Sequence, residues 1–294
     1  MQTRQFGRSG IVVPVLGFGA MQLGDPALPE HDAERLLNLA LDLGLTLIDT
    51  ARSYGISEER IGRHIAHRRD EFVLSTKVGY GVEGIPDWTC DCVLAGVDQA
   101  RDRLRTDVID IVHLHSCGPE TLRAGGVTEA LTRCVELGKV RVAAYSGDGE
   151  PLHDAIAGGR FGGVQVSVNI CDQQGLAAVR DARKRGLGTI GKRPLAGRPW
   201  ASGLPPSDPV HAEYHRRFAA LRGAFGAEPG DWDSLALRFA AYEPGVDCVI
   251  VGGTSARHLE RNAAVVASGP LEQGLRAACR ERFAAAGPEW RGMV

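Results

Sequence analysis

Phe72-Val73-Leu74-Ser75-Thr76-Lys77, a helical-period segment from Cys90 to Leu104, and Val108-Ile109-Asp110-Ile111-Val112-His113-Leu114 follow one another along the chain. Two short β-branched runs separated by a helix-length amphipathic segment read as strand, helix, strand. The same unit repeats outward in both directions. Toward the N-terminus, Leu45-Thr46-Leu47-Ile48-Asp49 is extended. It follows a helix that starts near Glu30, carries Leu36, Leu37, Leu39, Ala40 and Leu43, and stops at Gly44. Val12-Val13-Pro14-Val15-Leu16-Gly17-Phe18 is the first main strand, and Ser57 reads as the N-cap of the helix between Asp49 and Phe72.

Toward the C-terminus the rhythm holds. Thr121 to Leu137 is helical, Val140 to Tyr145 extended, and a short helix surrounds Leu152. Val164 to Val168 is the sixth strand, Leu176 to Lys184 a helix, and Leu187 to Gly191 the seventh strand. Arg198 to Asp208 reads as a loop, and Val210 to Phe225 and Trp232 to Tyr242 as two helices. Asp247 to Val251 is the eighth strand, with helices after Ser255 and Leu271. Eight strands alternating with helices predict an α/β fold, a (β/α)8 TIM barrel. It is expected as a single domain over residues 1–294, with an N-terminal hairpin and extra helices after strands seven and eight. The rival, an open doubly wound sheet, wants a G-x-G-x-x-G turn after its first strand. Gly17-Phe18-Gly19-Ala20-Met21-Gln22 has only the first two glycines.

The composition agrees. A 294-residue chain with 44% hydrophobic and 24% charged residues is of ordinary globular type, neither disordered nor collagen-like. The 38 glycines indicate tight turns or backbone close to a ligand. A net charge of −2 without a long basic run argues against nucleic acid as the partner. No apolar run is long enough to span a bilayer. No secretory h-region follows Met1-Gln2-Thr3-Arg4-Gln5, and seven cysteines without paired spacing suit a reduced cytoplasm. Cys90-Asp91-Cys92 reads as a helix start rather than a metal site, and no metal is expected.

In a barrel the chemistry sits at the C-terminal ends of the strands. Strand two ends at Asp49, strand three at Lys77, strand four at His115, and Tyr54 lies five residues past Asp49. Successive strands are neighbours, so these four side chains can converge. Asp49 and Lys77 alone would make a rim salt bridge, which leaves the phenol and the imidazole unexplained. A free phenol, with a pKa of about 10, is a slow acid near neutrality. An adjacent ammonium favours phenolate, and a carboxylate behind it keeps the ammonium charged and in place. A neutral imidazole opposite can hydrogen-bond a carbonyl oxygen. Such a set polarises a carbonyl and is poorly suited to hydrolysis.

These residues resemble the aldo-keto reductase superfamily. The resemblance rests on Phe6-Gly7-Arg8-Ser9-Gly10, Leu16-Gly17-Phe18-Gly19, Ile48-Asp49-Thr50-Ala51 with Tyr54-Gly55, and Ser75-Thr76-Lys77. It continues through Ile109-Asp110 before His115, Gly138-Lys139-Val140-Arg141, Arg193-Pro194-Leu195 and Val249-Ile250-Val251-Gly252. It implies NADPH-dependent reduction of an aldehyde or ketone, with NADH possible as the cofactor. Tyr54 is then the proton donor, Lys77 and Asp49 its tuning pair, and His115 the carbonyl orienter. It also implies that Ser146 and Gln165 hold the nicotinamide amide, Arg193 meets the pyrophosphate, and Gly252, Gly253, Thr254 and Ser255 receive phosphate. Arg257, Glu260 and Asn262 fall at the adenosine end, and Gly19, Met21, Asp49, Pro194 and Leu195 along the cofactor. Lys192 stands where the family's stacking aromatic usually stands; either its stem covers the ring or its charge acts. Arg52, Trp88, His113 and Trp200 are candidate pocket residues. His113 is either a core histidine satisfied by a neighbour or a supporting residue beneath Lys77 or Tyr54. Cys117, near the mouth, is expected to carry a neutral thiol. The expected partner is a small carbonyl compound, with neither nucleic acid nor membrane, and no oligomeric state is specified. The alternatives are a non-catalytic NADP(H)-binding sensor or accessory subunit, and the same chemistry reversed as an alcohol or sugar dehydrogenase.

Overall fold

The computed structural model describes residues 1–201, 203, 206–222, 230–287 and 289–293. Two strands, β1 (Thr3–Gln5) and β2 (Val12–Pro14), pair antiparallel as the expected hairpin. Eight parallel strands follow: β3 (Leu16–Gly19), β4 (Leu47–Asp49), β5 (Val73–Val78), β6 (Ile109–His115), β7 (Val140–Ser146), β8 (Gly163–Ser167), β9 (Gly188–Lys192) and β10 (Cys248–Gly252). They close into a barrel in chain order, β10 pairing with β3. Around it run α1 (Glu30–Asp42), α2 (Ser57–His64), α3 (Cys90–Leu104), α4 (Pro119–Ala124), α5 (Gly126–Glu136), α6 (Gly149–Ala157) and α7 (Leu176–Arg185). Two helices, α8 (Pro209–Arg222) and α9 (Trp232–Ala241), lie between β9 and β10, and α10 (Ala256–Ala267) and α11 (Gln273–Ala286) follow β10. No described helix is long and apolar enough to cross a membrane.

Three local expectations are corrected. Val12 to Phe18 is two strands, because the chain leaves its antiparallel partner and enters the parallel barrel. Val15 is the joint: its N–H donates to Gln2 O and its carbonyl accepts from Val249 N. Thr121 to Leu137 is two helices, broken at Gly125, whose φ of 85° lies in the left-handed region. Ser57 is not a cap; Ile56 holds that position. The Ser57 hydroxyl is buried, accepting from Thr50 Oγ1 at 2.8 Å and donating to Ala20 O at 2.9 Å. It therefore ties the loop after β4 to the loop after β3. The helix expected to reach Phe225 is described only to Arg222; Phe225, like part of the Arg198–Asp208 loop, lies outside the described residues.

Side chains alternate along a strand, so every second residue enters the barrel. Near the N-terminal ends of the strands the inward set is apolar: Leu47, Ile111, Val142, Ala144, Ile190 and Cys248. Phe6, Ile11 and Val13 of the hairpin join them from below. Gly163 and Gly188 make room for the plug, since a Cβ on either would stand 2.6 and 2.4 Å from the Phe6 ring. Further along the same inward rows the residues become polar, at Asp49, Lys77, His113, Ser146 and Gln165. The barrel thus has an apolar floor and a polar ceiling. Phe6→Ala should lower the unfolding free energy by about 3–5 kcal/mol, as for other buried aromatics. Urea titration reads this directly, and a loss below about 1 kcal/mol would show that the hairpin does not seal the floor.

Candidate active site

The polar ceiling is assembled by strand register. Asp49 on β4 pairs with Ser75 on β5, and Lys77 with His113 on β6. His115 pairs with Ser146 on β7, and Ser146 with Gln165 on β8. Lys77 Nζ donates to Asp49 Oδ2 at 2.6 Å and to Thr50 O at 2.8 Å. The other carboxylate oxygen, Oδ1, accepts from Ser75 Oγ at 2.7 Å and Gln165 Nε2 at 2.9 Å. Both members of the ion pair are 2% exposed. Tyr54 covers the pair, its ring centroid 4.9 Å from Lys77 Nζ. Burial pulls the Lys77 amine down; the Asp49 carboxylate and the Tyr54 phenol push it up by more, and it stays above the ordinary lysine value. Backbone contact holds the Tyr54 loop in place: a Cβ on Gly24 would stand 1.9 Å from Tyr54 O. The loops after β3 and β4 therefore interlock main chain to main chain.

His115 faces Tyr54 edge-on, with centroids 6.0 Å apart at 83°. Burial first, then Lys77, Lys192 and His113, push its pKa down to about 3, so the imidazole is neutral at physiological pH. Beneath it His113 is fully buried, its Nε2 3.2 Å from Ser75 Oγ. Ser75 gives its proton to Asp49, so the His113 ring donates to Ser75 and supports the carboxylate from below. The other nitrogen, Nδ1, is buried near the Tyr145 backbone, with no hydrogen bond of good geometry among the described residues. Burial lowers the His113 pKa to about 4. Burial also pushes the Cys117 thiol up to about 12, which keeps it neutral.

A cleft of about 540 Å³ opens over these groups. Asp49, Tyr54, His115, Ser146, Gln165 and Lys192 line its floor. Gly19, Met21, Arg193, Pro194, Leu195 and Gly252 line its length. Gly253, Thr254 and Ser255 continue from Gly252 to α10, where Ser255 Oγ accepts from His258 N. Arg257 and Glu260 are exposed on α10, and Asn262 is half-buried. The walls suit a dinucleotide on two observations. A Cβ on Gly252 would stand 2.4 Å from Gln22 Oε1 and 2.8 Å from Gly19 O, so bare backbone is required there. Gln22 Oε1 itself is buried in the cleft wall, with no hydrogen-bond partner among the described residues. Ser146 Oγ donates to Gln165 Oε1 at 3.0 Å, so the two carboxamide-holding candidates already form one unit with Asp49.

Lys192 is tied down rather than free. Its Nζ lies 3.0 Å from Asp148 Oδ2, and burial lowers its pKa while Asp148 offsets part of the loss. Asp148 also accepts from the Ser167 N–H and hydroxyl. Met293 O closes the group from the tail, accepting from Arg193 Nη1 at 2.9 Å and lying 3.1 Å from Ser167 Oγ, whose single proton it shares with Asp148.

None of the four pocket candidates lines the cleft. Arg52 donates to Gly81 O and Gln99 Oε1, away from the cleft. Trp200 stacks on Trp232 and donates Nε1–H to Asp233. Trp88 packs on Tyr80, with centroids 5.6 Å apart. The fourth, His113, stays below the ceiling. Sequence reasoning missed Tyr80, which stacks on His115 with centroids 5.4 Å apart at 25°. The only signal was the Gly79-Tyr80-Gly81 turn just past Lys77, where strand parity no longer assigns a direction. Gln22, Asp148, Arg198 and His211 were likewise unmarked; their loops meet only in three dimensions.

A model of the aldo/keto reductase family matches residues 15–281, and the chain belongs to that family. It is 28% identical over 287 residues to an L-galactose dehydrogenase of Arabidopsis thaliana, covering 90% of this chain and 88% of the relative. A 6-dehydroglucose reductase of Novosphingobium aromaticivorans is 32% identical over 156 residues, 49% of this chain and 50% of the relative. Among solved structures, the holo form of an aldo-keto reductase from Bacillus halodurans superposes with a TM-score of 0.83 at 25% identity, covering 96% of both chains. Membership and the oxidoreductase names of these relatives support an oxidoreductase.

The buried histidines make stability depend on pH. Between pH 4 and 6.5 the unfolded chain holds a proton on His113 that the folded chain lacks. Stability therefore rises with pH through that window and is lost as pH falls through it, by up to about 1.4 kcal/mol per pH unit for each such histidine. His113→Asn should flatten the dependence by about one proton's worth. Urea titrations across the window measure the slope; an unchanged slope would mean that His113 is protonated in the native state.

Proposed function

We propose that this chain is an NAD(P)H-dependent carbonyl reductase, NADPH being the favoured cofactor, that acts on small polyhydroxylated aldehydes or ketones. The same site runs in reverse as an alcohol or sugar dehydrogenase. One observation carries the reading: a buried Asp49–Lys77 pair lies under the Tyr54 ring, across the cleft from a neutral imidazole. The sugar-named relatives support the substrate class.

When bound, the nicotinamide supplies the hydride. Ser146 and Gln165 would hold the amide end of the dinucleotide, and Arg193 and the bare backbone from Gly252 to Ser255 would take its phosphates. Gly19, Met21, Lys192, Pro194 and Leu195 line its path, and Arg257, Glu260 and Asn262 take the adenosine end. The Tyr54 hydroxyl gives its proton to the substrate oxygen as negative charge develops there. Lys77, kept charged by Asp49, stabilises the negative charge left on the phenol oxygen. His115 cannot serve as the acid at neutral pH, since its pKa is about 3; it donates a hydrogen bond and aims the carbonyl.

Tyr54→Phe removes the transferable proton and keeps the ring over Lys77. It should lower carbonyl-dependent NADPH consumption by at least about a hundredfold. The NADPH affinity, followed by fluorescence quenching with NADH as the comparison, should stay within about twofold of the native value. Undiminished turnover would remove Tyr54 from the mechanism. Tight NADPH binding with no turnover of any polyhydroxylated carbonyl would favour the sensor reading.

A further inference from the structure

Tyr80 lies against His115 at the C-terminal end of the barrel. It sits in the loop after β5 between two glycines of positive φ, Gly79 at 130° and Gly81 at 74°. A Cβ on Gly79 would stand 2.2 Å from the Trp88 ring, so this turn closes only with glycine. Trp88 N donates to Gly79 O at 2.7 Å, and Gly81 N to Asp87 Oδ1 at 2.8 Å. Arg52 donates to Gly81 O through Nε at 2.9 Å and Nη2 at 2.8 Å. Since Arg52 lies two residues before Tyr54, it also fastens this loop to the Tyr54 loop. All these contacts hold the Tyr80 ring nearly parallel to His115 and offset from it, with centroids 5.4 Å apart at 25°.

The Tyr80 hydroxyl lies 3.0 Å from His115 Nδ1 and 3.1 Å from Ser53 Oγ. A neutral imidazole carries one proton, and the bond made by one ring nitrogen decides which of the two holds it. Two proton arrangements satisfy these distances. In one, the phenol donates to Nδ1 and the proton sits on Nε2. In the other, Nδ1–H donates to the phenol oxygen and the phenol donates to Ser53. The first pairs the strongest donor with the strongest acceptor, a phenol with an imidazole lone pair. The second asks a phenol oxygen, whose lone pair is drawn into its ring, to accept, and spends the phenolic proton on a serine. Ser53 is exposed and takes its partners from water, whereas the His115 ring is largely enclosed.

We propose that Tyr80 is a positioning residue for His115, donating to Nδ1 and holding the ring as the Nε2–H tautomer. An N–H donor is then presented on the side of the ring away from Tyr80, where a carbonyl oxygen beside Tyr54 would accept it. The inference deepens the reading of His115 as carbonyl orienter and rests on it for its catalytic consequence. The tautomer itself is independent of any substrate.

Long-range proton–nitrogen spectra of the full chain labelled with 15N-histidine report the tautomer, the His115 signals being those lost in His115→Asn. The native protein should show His115 as Nε2–H. Tyr80→Phe keeps the stacked ring and removes the donor; it should shift His115 to a mixture of tautomers. It should also lower kcat on the order of tenfold, the lower end of what losing an outer partner costs a metal-bound histidine, with NADPH affinity unchanged. Ser53→Ala should leave the tautomer as it is. A native Nδ1–H tautomer, or an Nε2–H signal indifferent to Tyr80→Phe, would overturn the proposal. A protein inert toward every carbonyl would instead overturn the proposed function and leave the tautomer result standing.

Discussion

The rest of the site depends on one buried ion pair. Lys77 and Asp49 meet at 2.6 Å inside a barrel, where an unpaired charge would cost several kcal/mol. Both are kept because the neighbours complete their hydrogen bonding. Ser75 and Gln165 take one carboxylate oxygen, Lys77 the other, and the Thr50 carbonyl takes a second Lys77 proton. The ammonium's remaining reach is toward Tyr54. An ammonium with two of its three donors fixed is a directed charge, and its direction is the cleft.

The division along the barrel axis follows from that arrangement. The floor, sealed by Phe6 and a ring of aliphatic side chains, supplies apolar burial. The ceiling holds charged and polar groups that oppose folding unless each is paired. His113 marks the boundary: it occupies an inward position one step above Ile111 and supports Ser75 from below. Keeping an imidazole neutral there makes the ceiling more sensitive to acid than the floor.

The cleft holds a second charge in check. Lys192 lies in the cleft floor and is neutralised by Asp148, which Ser167 braces and the Met293 carbonyl borders. Trp290, against the guanidinium groups of Arg216 and Arg217, anchors the approach of the tail to this rim. The electrostatics of the cleft thus involve residues about 100 positions apart in the chain, Arg193 and Met293 among them.

The sequence alone determined the barrel and the meeting of Asp49, Lys77 and His115 near the strand ends, with Tyr54 in the loop just past Asp49. Strand parity and consecutive neighbours leave those inward side chains little choice of place, because the period of a strand is two and each β/α unit returns beside the last. It misjudged Ser57, Gly125 and Val15, where a loop contact, a left-handed turn and a change of sheet partner override local preference. Tertiary structure alone decided what surrounds the four: that Tyr80 and not Arg52 or Trp200 stands against His115, and that Lys192 answers to Asp148. Those residues lie in or beside loops, where no period dictates direction, and their positions follow from which other loops they touch.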